Sequence, residues 1–218
     1  MKQSSNKDWN LLLHPLFTQY HSRKHPLEYK NTYQLVVMVV LSAQTTDAIV
    51  NAAAPALFQR YPSLKQLALA HSDELHLYLK TIRGYRRKAD WLINIAKVLG
   101  DESNIPLTID RLIELPGIGR KSANVIIREA DGEPQGIFLD LHVLRVIPRI
   151  GITNEASPEK MEKVLMGIIS REHWHDAGIS FSYLGRELCR PTDPICRDCL
   201  LNEICEFKSA HKNSTVAV

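Results

Sequence analysis

No cysteine occurs before residue 189, no apolar run exceeds seven residues, and the formal net charge is only +3 over 218 residues. Each scarcity excludes something. The longest apolar run, Leu35 to Leu41, falls far short of the roughly 20 residues needed to cross a bilayer, so no membrane-spanning segment is expected. The near-balance of charge does not mark a nucleic-acid binder by composition, and any basic surface has to come from local clustering. The N-terminal stretch MKQSSNKDWNLLLHPL lacks the charged, then apolar, then small-residue succession of a secretory signal, so a reducing, cytoplasmic setting is expected and disulfides are not. No repeat or low-complexity segment is present, and only the last ten or so residues, polar and ending Ser-Thr-Val-Ala-Val, read as frayed. With 44% hydrophobic residues the chain can bury a real core, as one large domain or two small ones.

Helical periodicity dominates what is there. Leu75, Tyr78, Leu79 and Ile82 repeat at i, i+3, i+4, i+7, as do Ala89, Leu92, Ile93 and Ala96; Ala123, Ile126, Ile127 and Ala130; and Met161, Val164, Leu165 and Ile168. Start signals agree: Ser72 precedes an acidic turn, Thr108 and Asp110 flank another, and Ser157-Pro158-Glu159 reads as N-cap, first-turn proline and dipole-matched acid. Pro55 is read as opening a new helix, because inside one it costs about 3 kcal/mol. Leu35 to Leu41 is β-like in composition but has no partner strand of comparable quality, so it is read as a buried helix.

All four cysteines, Cys189, Cys196, Cys199 and Cys205, fall in one window spaced C-x6-C-x2-C-x5-C. Four thiolates so close in sequence suit one soft metal centre. A cubane iron-sulfur cluster needs one thiolate per iron and tolerates wide spacing. Tetrahedral zinc is the alternative, although it usually takes two close pairs and here only Cys196 and Cys199 form one. Basic residues cluster at Arg83, Arg86, Arg87 and Lys88, at Arg120 and Lys121, and at Arg145 and Arg149. Residues Leu112 to Ala130 read as a short helix, a turn Leu115-Pro116-Gly117-Ile118-Gly119, and a second helix opening at Arg120 or Lys121. Two glycines flanking one apolar residue let the backbone turn sharply while Ile118 enters the core. The turn amides and the positive pole of the following helix then make an anion site to which Arg120 adds charge.

The string LPGIGRKSANVI resembles the helix-hairpin-helix of the endonuclease III family of DNA glycosylases. LSAQTTD (Leu41 to Asp47), LDLHVLRV (Leu139 to Val146), LGRELC (Leu184 to Cys189) and the cysteine spacing resemble further landmarks of that family, in its order, over roughly residues 25 to 207. The resemblance implies an all-α, two-domain helix-hairpin-helix DNA glycosylase fold: a six-helix domain over 27–135, and an iron-sulfur cluster domain formed by 1–26 and 136–218. It implies a bifunctional DNA N-glycosylase and apurinic/apyrimidinic lyase of base excision repair, acting on oxidised pyrimidines in double-stranded DNA or on abasic sites. The four cysteines are then ligands of a [4Fe-4S] cluster, Lys121 the nucleophile and Asp140 the assisting carboxylate. Leu115, Pro116, Gly117, Ile118, Gly119 and Arg120 are implied to bind a DNA phosphate. A monomer without membrane attachment, cytoplasmic and associated with the nucleoid, is expected.

The chemistry wants both side chains. An amine that attacks the sugar C1′ must be neutral, and a carboxylate stabilises the oxocarbenium-like charge left when the base departs. To reach the base, the enzyme must rotate it from the duplex and fill the vacated stack. Gln44 matches the family's polar filler. The second loop, Ile82-Arg83-Gly84-Tyr85, has glycine where many thymine-glycol enzymes have leucine, and is closer to the adenine-mismatch branch. Arg83 or Tyr85 is therefore expected to intercalate, and a mismatch or purine-lesion glycosylase is the alternative within the superfamily. A non-catalytic DNA-binding protein is the alternative outside the enzymes. Leu141 replaces the threonine common after the catalytic aspartate.

Overall fold

A computed structural model describes residues 7–212, and side chains through residue 209. Among these residues the regular structure is entirely helical. Contacts divide the chain into two compact units, Met1–Lys24 with Pro134–Val218, and His25–Glu133.

Helix α1 (Trp9–Tyr20) opens on Asp8, whose carboxylate accepts the amides of Asn10 and Leu11. It belongs to the first unit. The second unit begins with α2 (Thr32–Ser42), N-capped by Asn31. Every residue from Leu35 to Leu41 is at most 4% exposed, so the all-apolar run is a helix surrounded by others and not a strand. It packs against α3 (Asp47–Arg60), α6 (Tyr85–Leu99) and α8 (Arg120–Glu129). Between them lie the short α4 (Leu64–Ala68), α5 (Ser72–Leu79) and α7 (Ile109–Leu112).

Two local expectations need correction. Pro55 does not start a helix; it lies inside α3, on its exposed side. The proline costs that helix about 3 kcal/mol, whereas burial of Val50, Ala54, Leu57 and Phe58 contributes roughly 1.5–3 kcal/mol for each larger side chain, so packing wins. Ser72 is the first residue of α5 and His71 its N-cap, because the Ser72 hydroxyl donates instead to Asp90 (2.6 Å). Ser157 does cap its helix, with Pro158 at the first position.

The first unit is completed by α9 (Leu141–Ile150), α10 (Pro158–Ile168), α11 (Trp174–Glu187) and α12 (Glu206–Lys212). Its core joins Leu13, Leu16 and Phe17 of α1 to Val143, Val146 and Ile147 of α9 and to Phe181 of α11. Gly178 of α11 allows the close packing: a Cβ there would lie 2.7 Å from the Phe138 ring. Helix α12 reaches into the tail that reads as frayed, and the remainder of that tail, 213–218, lies outside the described residues.

Candidate active site

In the second unit, α7 and α8 form the hairpin. The turn is closed by the amide of Leu115 donating to Leu112 O (3.1 Å) and that of Ile118 donating to Leu115 O (3.2 Å). Leu115 and Ile118 are buried, Pro116 and Gly117 half-buried, and Gly119 and Arg120 exposed. The two glycines do different jobs. Gly117 has φ +81°, and a Cβ on it would lie 2.4 Å from the Trp91 ring, whereas a Cβ on Gly119 would meet nothing within 4 Å. Gly119 is the N-cap of α8 and brings no side chain to the helix amides, so that end remains available to an anion. Gly117→Ala is expected to destabilise the protein by roughly 2 kcal/mol or more in thermal melts, from left-handed strain and the Trp91 clash. Gly119→Ala is expected to melt within about 0.5 kcal/mol of wild type and to lose duplex affinity in fluorescence anisotropy.

Lys121 stands exposed in the first turn of α8. Gln44 is exposed and held at φ +57°, a left-handed conformation uncommon outside glycine. Its loop joins the 82–85 segment, since the Arg83 amide donates to Thr45 Oγ1 (3.3 Å). Arg83 is exposed, and Gly84 takes φ +69° as the N-cap of α6. Tyr85 is half-buried, edge-on to His76 with ring centroids 5.2 Å apart, and the Arg86 guanidinium lies 5.8 Å from its ring.

The basic cluster at 83–88 is not all surface. Lys88 is 4% exposed, on the buried stripe Lys88, Leu92, Ile95, Leu99 of α6. That spacing was a usable signal, but a lysine among arginines reads first as solvated charge. Burial, and secondarily the Arg87 guanidinium, push the Lys88 ammonium down to about 8 from an ordinary 10.5. The unfolded amine thus binds more protons than the folded one between those values, so stability rises with pH in that window and carries the full penalty below it. Thermal melts at about pH 8 and about pH 9.5 are expected to show that rise in wild type and to lose it in Lys88→Met. Tyr33 and Tyr61, whose hydroxyls burial pushes up, act in the opposite direction once an unfolded tyrosine ionises, near 10.

In the first unit, Asp140 is the N-cap of α9. Its Oδ1 accepts the amides of His142 and Val143, both at 2.9 Å. Oδ2 accepts the Ser182 hydroxyl at 2.6 Å and has Arg186 at 3.8 Å, and the side chain is 11% exposed. Ser182, which no sequence motif singled out, and Arg186, the arginine of LGRELC, therefore hold this nearly buried carboxylate in place. Leu141, next to it, is 77% exposed. Arg145 and Arg149 form one of the basic clusters of the sequence, yet both are directed at the cysteine segment. Arg145 donates to the carbonyls of Cys189 (3.0 Å) and Gly185 (2.8 Å), and Arg149 donates to those of Arg190 (2.7 Å) and Pro191 (3.0 Å).

Cys189, Cys196, Cys199 and Cys205 line one pocket, walled by Leu188, Ile195 and Phe207. Burial pushes the Cys196 and Cys199 thiols up, and the neighbouring cysteines add to it. Among the described residues no group of three or more His, Cys, Asp or Glu is placed to hold a single metal ion. Four thiols around one shared pocket are the donor set that an iron-sulfur centre requires.

The model of the HhH-GPD superfamily of base excision DNA repair proteins matches residues 37–171, more than half of the chain. The class is thus a helix-hairpin-helix repair protein. Endonuclease III of Synechocystis sp. is 35% identical over 186 residues, covering 84% of this chain and 85% of the relative, and endonuclease III of Rickettsia felis is 38% identical over 188, covering 85% and 88%. A solved endonuclease III trapped as a covalent intermediate with DNA superposes with a TM-score of 0.83 at 33% identity, covering 93% of this chain and 96% of that one. The chain belongs to the endonuclease III family.

Proposed function

We propose that this chain is a bifunctional DNA N-glycosylase and apurinic/apyrimidinic lyase that removes oxidised pyrimidines from duplex DNA. The observation that carries the reading is an exposed lysine, Lys121, in the first turn of a helix that opens on an anion-accepting glycine hairpin. The hairpin amides and Arg120 hold a backbone phosphate near the lesion. Gln44 and Arg83, on two joined loops, fill the stack that the extruded nucleotide vacates, with Tyr85 behind them.

As the C1′–base bond breaks, positive charge develops on the sugar, and the fixed Asp140 carboxylate stabilises it. Its oxygens already accept two amides and a hydroxyl, so a preorganised charge fits this group better than a mobile proton carrier. The Lys121 amine forms the new bond to C1′, the sugar ring opens to a Schiff base, loss of a C2′ proton follows, and the C3′–O bond breaks to nick the strand. Cys189, Cys196, Cys199 and Cys205 hold a [4Fe-4S] cluster that ties the C-terminal segment together.

Borohydride reduction during turnover on a duplex carrying one oxidised pyrimidine tests the reading. A covalent protein–DNA product is the expected result. Base release with no adduct on any lesion would leave a monofunctional glycosylase instead, and neither release nor adduct would leave a binding protein.

A further inference from the structure

We propose that Lys88 is a positioning residue for base extrusion, fastening the Gln44 loop, and with it the 82–85 loop, into one rigid stack-filling element. The proposal rests on the glycosylase reading above, which gives those loops their task. The Lys88 Nζ donates to Leu41 O (2.8 Å) and Ala43 O (2.5 Å) and lies 3.4 Å from Thr45 Oγ1. Leu41 and Ala43 lie at the C-terminal end of α2, where carbonyls lack helical donors and the helix pole is negative. A glycine just beyond the helix would end it without burying an ammonium. Lys88 supplies something more: contacts to Ala43 and Thr45, on both sides of Gln44.

Gln44 needs them. A non-glycine residue at φ +57° persists only where its surroundings over-determine it. Thr45 also receives the Arg83 amide, so one ammonium stands behind both loops while the Gln44 and Arg83 side chains stay exposed. Without the tether these loops have to be ordered each time a nucleotide is extruded, at an entropic cost charged to that step. A lysine that only capped α2 would leave extrusion unaffected.

Lys88→Met and Lys88→Gln separate these roles. In Lys88→Met, amide exchange over 42–46 in the free protein is expected to accelerate roughly tenfold or more. Single-turnover excision from a lesion duplex is expected to fall by roughly tenfold or more, and the fluorescence of 2-aminopurine beside the lesion, reporting extrusion, to weaken with it. Lyase cleavage of a single-stranded abasic oligonucleotide, which needs no stack filling, is expected to stay within about twofold. Lys88→Gln, which keeps a donor, is expected to lie between, and serves if the methionine variant does not fold. Unchanged exchange overturns the tether, and equal losses on duplex and single strand reduce Lys88 to general stability. If wild-type protein neither excises nor cleaves, the glycosylase reading fails, while the exchange measurement still judges the tether.

Discussion

Lys121→Ala is expected to lose base release and strand nicking on an oxidised-pyrimidine duplex by on the order of 10³-fold or more, without loss of thermal stability. The two halves of that result have separate causes. Lys121 is exposed, and a cation in the first turn of α8 opposes the positive helix pole. Alanine removes that repulsion and is the better helix former, so the melting temperature should hold or rise slightly. Activity falls because no other exposed amine follows the hairpin within the first turn of α8, whose remaining residues there are Arg120 and Ser122. Duplex affinity should change only by what one surface charge contributes, which salt screens. A variant that still nicks at a comparable rate would remove Lys121 from the chemistry and leave it as a phosphate contact.

Asp140 is expected to give the second large effect, and two substitutions divide its roles. Asparagine is nearly as good an N-cap as aspartate, so Asp140→Asn keeps the bonds to the His142 and Val143 amides and removes the charge together with the Oδ2 acceptor that meets Ser182 and Arg186. Its single-turnover excision rate is expected to fall by about 10²–10³-fold with stability little changed. Asp140→Ala removes the cap as well and should cost about 1 kcal/mol of stability in addition to the same loss of rate. Calorimetry and single-turnover kinetics on both variants check this. If asparagine retained full activity, the carboxylate would be a cap and nothing more.

Much of this architecture was legible because local and global signals agree. The buried α2 follows from seven consecutive apolar residues without a partner strand, and the hairpin from two glycines around Ile118. The motifs LPGIGRKSANVI and LDLHVLRV carried the family, and the roles proposed for Lys121 and Asp140 rest on that resemblance. What was hidden depends on tertiary contacts at long sequence separation. Ser182 and Arg186 meet Asp140 from 42 and 46 positions away; Ser182 belongs to no motif, and LGRELC, which contains Arg186, says nothing of a contact with Asp140. Arg145 and Arg149 carry the same charge whether they face a phosphate or the carbonyls of 185–191, and only the fold decides. Pro55 misled because its penalty is local, whereas the burial that outweighs it is shared along α3. Lys88 misled for the opposite reason: its neighbours are exposed arginines, but its helical phase is that of the core.

The central claim is that one amine, Lys121, bonds to the sugar carbon of the extruded nucleotide. Protease digestion of the borohydride-reduced protein–DNA adduct, followed by mass spectrometry, tests it most directly. The account predicts the deoxyribose remnant on the peptide containing Lys121. A remnant on the N-terminal amine or on any other lysine, with Lys121 unmodified, would contradict it.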